Sequence, residues 1–142
     1  LASLFSGMAL ANAKLGAVHG LAASLGAMLG AAHGEICAAL LPHVMEANIA
    51  ALRLAYPTHP SLDRYAETGL LLAGEGEALA GVRFVRGLCR DLGVRNLRAL
   101  GLEEGLIDEA ARKAANASSM KGNPVVLGQN LVEDILARAL DG

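Results

Sequence analysis

The sequence is poor in aromatic residues, which pack the cores of many soluble domains, and in charged residues, which solvate their surfaces. It has no tryptophan, and aromatic residues make up only 3% of its 142 residues. Charged residues reach only 18% while apolar residues reach 54%, a composition that excludes an intrinsically disordered chain. Since the chain has 17 glycines and few aromatic rings, its core must consist of aliphatic and small side chains with close backbone contacts.

Neither the net charge nor the cysteines indicate a specialised class. The formal net charge is −2, so the chain lacks the excess of positive charge that binding to nucleic acid requires. Cys37 and Cys89 fit neither a zinc-knuckle spacing nor a disulfide scaffold. We interpret both as small buried apolar residues of a reduced, cytoplasmic protein.

The start of the chain does not have the features of a signal peptide. It begins at Leu1 without a charged n-region or a cleavage site, and we expect it to be a fragment of a longer protein.

Charge is scarce in the first 52 residues, which carry only Lys14, Glu35 and Glu46, whereas the remainder carries 23 charged residues. Helices without a polar face must be covered by protein or lipid. The uncharged stretch Leu15–Gly34 has 20 residues, a length sufficient to cross a bilayer. It also contains five glycines and two histidines and lacks an aromatic belt. We therefore expect burial in protein and no membrane span.

The apolar periodicity predicts an all-α multi-helix bundle without strands. Glycine at Gly30 and Gly34 predicts a turn between the second and third helices. Pro42 would kink the third helix, and Ser61 is the predicted N-cap of the fourth. The predicted helices are Leu1–Ala11, Leu15–Leu29, Glu35–Leu54, Ser61–Leu72, Gly76–Leu92, Leu106–Ala117 and Leu131–Leu140.

His19 and His33 are the candidate metal ligands within the least polar part of the chain. On one straight helix they would lie roughly 21 Å apart and could not share an ion. A turn at Gly30–Gly34 would bring them together, although two imidazoles alone make a weak site. On spacing alone, buried histidines with satisfied hydrogen bonds are the simpler interpretation, and His43 and His59 are interpreted as structural.

Several catalytic signatures are missing from the sequence. It contains no P-loop, no GxGxxG after a strand, no HExxH and no GxSxG. These absences exclude the most recognisable phosphate-binding, zinc-protease and serine-hydrolase motifs as the basis of function.

Three stretches resemble one known family. They are Asn12–Ala27, the triplet Ala32-His33-Gly34, and Ala38–Asn48 with its Leu-Leu-Pro-His-Val motif. Together they resemble the C-terminal helical domain of the iron-containing (group III) alcohol dehydrogenases, which have a dehydroquinate synthase-like architecture. Gly122-Asn123-Pro124 and Val132–Leu136 resemble the closing segment of that family.

The resemblance implies a two-domain, metal-dependent oxidoreductase. Its N-terminal domain would bind NAD or NADP through a Gly-Gly-Gly-Ser loop. Its helical domain would hold Fe²⁺ or Zn²⁺ through an Asp-x-x-x-His pair and two further histidines, which His19 and His33 match. Neither the loop nor the pair occurs in this chain. Residues 1–142 would therefore be the later part of the C-terminal helical domain, with half of the metal shell and without the N-terminal nucleotide-binding domain. The cofactor-binding residues are unknown.

Two departures from the family pattern bear on the substrate pocket. Ala23 stands where many members carry another histidine, and Leu10 stands where an aromatic residue is common. Both replacements imply a roomier, less polar pocket for a small alcohol or aldehyde. The resemblance also implies a homodimer.

The function that this resemblance implies is that of an NAD(P)-linked alcohol dehydrogenase or aldehyde reductase. The metal would polarise the alcohol oxygen for hydride transfer. The isolated chain is expected to be inactive and to bind metal weakly. The alternatives are a maleylacetate or glycerol-type reductase of the same superfamily, and a non-catalytic helical interaction module.

Overall fold

The computed structural model describes residues 1–142, except for the side chain of Ala2. Over this range the chain forms α-helices and two short 3₁₀ turns, Glu104–Leu106 and Ser118–Gly122, without any strand. The predicted all-α bundle is therefore confirmed. The helices are α1 (Ala2–Asn12), α2 (Ala17–Leu29), α3 (His33–Ala55), α4 (Pro60–Ala73), α5 (Ala78–Asp91), α6 (Ile107–Ala115) and α7 (Gln129–Asp141).

The main core joins α2, α3, α6 and α7 through leucine, isoleucine, valine and alanine side chains. Leu97, Leu100 and Leu102 extend it from the connection between α5 and α6. Leu21 and Leu40 are completely buried, and burial of one such side chain contributes about 1.5–3 kcal/mol. No aromatic ring is among the buried core residues of the described chain, as the composition required.

The first helix stands outside this core. Leu4, Phe5, Met8 and Leu10 on α1 are each more than half exposed. Apolar surface of this kind is typical of a face that another part of a protein, or a second chain, covers. The described residues of the chain leave it uncovered.

The turn between α2 and α3 lies where the glycines predict it. Gly30 closes α2 in the left-handed conformation with φ of 64°, which glycine adopts without a Cβ penalty. Ala32 is extended, and α3 then begins at His33 rather than at the predicted Glu35. The uncharged stretch is consequently split between two helices.

One described helix, α3, has the length and composition of a membrane span. Of its most apolar window, 56% is buried inside the structure. This burial is typical of the central helix of a globular bundle. The helix continues through Pro42, which is buried in its middle.

The predicted N-cap of α4 is wrong by two residues. His59, not Ser61, is the N-cap, and its Nδ1 accepts a hydrogen bond from the Ser61 backbone N–H at 3.1 Å. Pro60 occupies the first helical position, where its missing N–H has no helical partner to lose. Pro60 is therefore the first residue of α4 and not the last residue of the preceding loop.

A close contact between glycines sets the packing of α4 against α5. A Cβ built on Gly69 would collide with the carbonyl oxygen of Glu77 and would lie 2.7 Å from that of Glu75. On the facing helix, a Cβ on Gly81 would lie 3.5 Å from the Gly69 nitrogen. The backbones approach so closely that the Gly69 site has no room for a methyl group.

We expect Gly69→Ala to lower the free energy of unfolding by about 1–3 kcal/mol, because the backbone must shift to admit the methyl group. Urea denaturation followed by circular dichroism measures the change. Gly76→Ala is the matched control, since open space surrounds a Cβ at Gly76. Equal stability of the two variants would show that the interhelical contact does not require glycine.

Candidate metal centre

The two candidate histidines come together in the structure. His19 lies in the first turn of α2 and His33 is the first residue of α3, yet their ring centroids are 5.4 Å apart. Ten helical steps from His19 to Leu29 advance the chain by about 15 Å. The four steps from Leu29 to His33 span at most about 14 Å, and they include the left-handed Gly30. The returning segment can therefore cover most of the rise along α2, and the two imidazole side chains meet across the remaining distance.

A third potential ligand, Cys37, completes the cluster. Its Sγ lies 3.4 Å from Nε2 of His33. The ligand atoms of His19, His33 and Cys37 all lie within 4.8 Å of one another. His33 is exposed, whereas His19 and Cys37 are half-buried. The interpretation of Cys37 as a simple buried apolar residue is therefore incomplete, and Cys89 is likewise only half-buried.

The sequence contained a signal for Cys37 that the predicted helix boundary concealed. Residues four apart on a helix share a face, and α3 places His33 and Cys37 in this relation. With α3 predicted to begin at Glu35, His33 was assigned to the turn, so its four-residue spacing from Cys37 did not indicate a shared helix face. The prediction of this pair therefore depends on which residue begins α3.

The first turn of α3 is held in place by an ion pair. Arg95 donates through Nε and Nη2 to the two carboxylate oxygens of Glu35, at 2.7 and 2.8 Å. This hydrogen bonding with Arg95 lowers the pKa of Glu35. A carboxylate in the first turn also interacts favourably with the helix dipole. Both effects stabilise the helix start that carries His33.

The thiol of Cys37 is in a different electrostatic setting. Burial raises its pKa above the ordinary value, because an apolar environment disfavours the thiolate. Without a cation nearby, Cys37 is therefore a neutral thiol at pH 7. Its contact with His33 is then a thiol–imidazole hydrogen bond.

A cleft of about 420 Å³ adjoins the cluster, and His19 and Cys37 both line it. Its wall is largely apolar, with Leu41, Val44 and Met45 contributed by α3. Such a cleft suits a small organic ligand, because most ligand sites combine apolar walls with a few polar groups. The polar groups here lie on the cluster side and at Asn48, Tyr65 and Asn123.

A pair of amides joins the beginning of α2 to α3. The Oδ1 atom of Asn123 accepts from the Ala17 backbone N–H at 3.1 Å and from Asn48 Nδ2 at 3.2 Å. Asn123 Nδ2 donates to Asn48 Oδ1 at 2.7 Å and to the Val125 carbonyl at 2.8 Å. Asn48 Nδ2 also donates to the Tyr65 hydroxyl at 3.1 Å. The side chain of Asn123 thereby caps α2 two residues before His19.

The importance of this amide pair was missed by the sequence analysis. Gly122-Asn123-Pro124 was interpreted only as an irregular segment with a family resemblance. Gly122 also packs against the chain before α2, where a Cβ would collide with the Leu15 carbonyl oxygen and lie 2.6 Å from Lys14 Cβ. Contacts that span more than a hundred residues cannot be identified from local pattern.

The predicted pocket residues occupy different positions relative to His19. Leu10 lines a shallow depression of about 340 Å³ together with His19, and it is 55% exposed. Ala23 is exposed one helical turn beyond His19 on α2 and therefore shares its face. The substrate-pocket role of both residues stays a prediction.

His43 lies away from the other histidines, in a small cleft that Arg86 and Cys89 also line. It is buried, and its Nδ1 has no hydrogen-bond partner among the described residues. Burial lowers its pKa, and the positive charge of Arg86 acts in the same direction, while Glu46 partly opposes them. The expected core position is confirmed, but the expected hydrogen bonding is incomplete.

Comparison with known proteins agrees with the fold and the motifs. The model of the Fe-containing alcohol dehydrogenase family, C-terminal part, matches residues 1–140. The chain is 37% identical over 128 residues to 1,3-propanediol dehydrogenase of Klebsiella pneumoniae, covering 86% of this chain and 33% of that protein. It is 34% identical over 125 residues to lactaldehyde reductase of Escherichia coli, with coverages of 87% and 32%.

A solved structure with the same helical fold is the alcohol dehydrogenase from Oenococcus oeni. It superposes with a TM-score of 0.79 at 28% identity, covering 94% of this chain and 34% of that one. These likenesses define the class as a helical domain of an oxidoreductase. The chain belongs to the iron-containing alcohol dehydrogenase family, and it spans about a third of the length of the curated relatives it matches.

We expect Asn123→Ala to lower the free energy of unfolding by at least about 2 kcal/mol, because it leaves the partly buried Ala17 N–H without its partner. Thermal and urea unfolding measure the loss. Asn116→Ala is the matched control, since the Asn116 side chain makes one exposed hydrogen bond to Arg112. A loss no larger than that of the control would contradict the capping role.

We expect His43 to make the fold less stable on acidification. Its folded-state pKa is lowered, so the unfolded chain takes up the proton first as the pH falls below about 6.5. Stability contributed by the neutral imidazole is thus present above that pH and is lost below it. His43→Gln should flatten this loss in urea titrations between about pH 7 and 5. An unchanged pH profile would exclude His43 as its source.

Proposed function

We propose that residues 1–142 are the metal-holding helical part of an NAD(P)-linked alcohol dehydrogenase or aldehyde reductase, with His19 and His33 as ligands. The observation that carries this proposal is the approach of the two imidazole rings to 5.4 Å across fourteen residues of sequence. Family membership supports an oxidoreductase with a metal and an NAD-type cofactor. The adjoining cleft supports a small organic substrate.

The residues present fit a divalent cation. Imidazole nitrogens suit both Fe²⁺ and Zn²⁺, and each would supply Lewis acidity that lowers the pKa of an alcohol oxygen. His19 and His33 would each present one ring nitrogen. The apolar wall formed by Leu41 and Val44 would exclude water and so strengthen electrostatic interactions within the cleft.

The remaining parts of the enzyme would lie outside this chain, since no Gly-Gly-Gly-Ser loop and no Asp-x-x-x-His pair occurs in these 142 residues. A separate nucleotide-binding domain would bind NAD or NADP, and the earlier part of the helical domain would complete the metal shell. The exposed apolar side chains of α1 support a covering domain or subunit. We further propose a cytoplasmic homodimer.

The proposed substrate is a small alcohol or the corresponding aldehyde. Two relatives are described as acting on 1,3-propanediol and on lactaldehyde, both compounds of this class. Leu10 shares a depression with His19, and Ala23 lies one turn along the same helix face. Their small or aliphatic side chains would leave the pocket less polar than histidine and an aromatic ring would.

We expect His19→Ala and His33→Ala, made in the natural full-length protein, each to weaken metal retention by at least about 10-fold and to abolish NAD(P)-dependent turnover. Plasma mass spectrometry of the metal and the absorbance of NAD(P)H measure the two losses. His59→Asn is the matched control, because it removes an imidazole elsewhere while asparagine preserves the N-cap of α4.

Retention of both metal and activity in the two alanine variants would refute the ligand assignment and favour a non-catalytic helical module. The same assay should give no turnover with residues 1–142 alone. Turnover by that piece would contradict the proposed division of labour between two domains.

A further inference from the structure

We propose that Lys14 and Lys121 form an anion-binding subsite beside His19, which takes the carboxylate of an ω-hydroxy acid or of the corresponding aldehyde acid. The inference rests on the proposed function, because the alcohol or aldehyde end of this substrate would lie at His19. It deepens that function by naming a second group that the substrate carries. The observations behind it are two adjoining depressions and the backbone contacts that place them together.

Lys14 lies between the candidate metal centre and a second depression. It lines the depression that Leu10 and His19 share, and it also lines a neighbouring depression of about 300 Å³. Leu15 is the other residue that lines both. The two depressions therefore adjoin at Lys14 and Leu15, so one short molecule can have one end near His19 and the other in the second depression.

The second depression presents a concentration of hydrogen-bond donors. Its five lining residues are two lysines, Lys14 and Lys121, two serines, Ser118 and Ser119, and Leu15. An ammonium group offers three N–H donors and no acceptor, and each hydroxyl offers one donor. Two positive charges with two hydroxyl groups favour an anion with several acceptor oxygens, and a carboxylate fits this description.

Close backbone packing fixes the two lysines relative to the candidate metal centre. A Cβ built on Gly122 would lie 2.6 Å from the Cβ of Lys14. A Cβ built on Gly20 would lie 2.6 Å from the Sδ of Met120. The 3₁₀ turn that carries Lys121 therefore packs directly against the segment that leads into α2 and against the first turn of α2 itself.

The apolar residues between the two ends suit the carbon chain of such a substrate. Leu10 and Leu15 line the depression next to His19, together with two alanines. A carboxylate loses part of its hydration on binding, and charge-assisted hydrogen bonds from two ammonium groups offset that cost. A neutral alcohol of the same length gains nothing from these charges, so the subsite would discriminate between the two substrate classes.

Steady-state kinetics of the natural full-length protein test the inference with a matched pair of aldehydes, succinate semialdehyde and its neutral methyl ester. We expect Lys121→Gln to lower kcat/KM for succinate semialdehyde by at least about 10-fold, mainly through KM, because a charge-assisted hydrogen bond is lost. The loss with the ester should be much smaller. Lys113→Gln is the matched control, since this exposed lysine pairs with Glu109 on α6 and should change neither reaction.

The outcomes separate this inference from the proposed function. An equal loss with the two aldehydes in Lys121→Gln would overturn the subsite and leave the proposed function standing. A raised KM for NAD(P)H with both aldehydes would assign the lysine to the phosphates of the cofactor and would also overturn it. Turnover of 1,3-propanediol but of neither aldehyde would refute the inference alone, whereas no turnover of any of the three compounds would contradict both.

A binding measurement supplies a readout that does not depend on turnover. A ligand of the folded state raises the midpoint of thermal unfolding. We expect γ-hydroxybutyrate to raise the midpoint of the natural full-length protein more than the diol of the same chain length does. Lys121→Gln should remove this difference, whereas its midpoint without ligand should stay close to that of the unaltered protein, because Lys121 is exposed. Equal shifts with acid and diol in the unaltered protein would exclude an anion subsite.

Discussion

The candidate metal centre depends on the reversal of the chain between α2 and α3. Gly30 allows this reversal because it adopts a left-handed conformation that a residue with a Cβ rarely adopts. The extended residue Ala32 then leads into α3, and His33 lies beside His19 at the start of α2. A longer turn would place the imidazoles at different heights, and a continuous helix would separate them by roughly 21 Å. A short turn therefore creates the cluster from two distant sequence positions.

The reversal alone does not fix His19, because the start of α2 has no cap from its own residues. Asn123 supplies that cap from the far end of the chain, and its pairing with Asn48 connects the same side chain to α3. The position of α2, which carries His19, is thereby fixed relative to α3, which carries His33. The Asn123 amide makes hydrogen bonds through both its oxygen and its nitrogen, and these bonds connect the two helices.

Local pattern predicted the helices, the turn and the two histidines, because each has a short-range cause: apolar periodicity, glycine conformation or motif. It failed at features that depend on a two-residue shift of a helix start or on long-range contacts. Starting α3 at Glu35 concealed the four-residue spacing of His33 and Cys37. The amide pair of Asn48 and Asn123 spans 75 residues, and no local rule connects them. The cap from His59 was missed because proline was interpreted as preceding the helix rather than beginning it.

Cation binding at the candidate metal centre would be linked to folding of the bundle. His19 is positioned through a cap from the segment before α7, and His33 begins a helix whose first turn is tied to Arg95 after α5. The cluster therefore depends on contacts that α2 and α3 make with two later segments of the chain. A cation that binds this arrangement and not the unfolded chain adds its binding free energy to folding stability. Because α1 is apolar and exposed, contacts that cover it would reinforce the same folded state from outside the bundle.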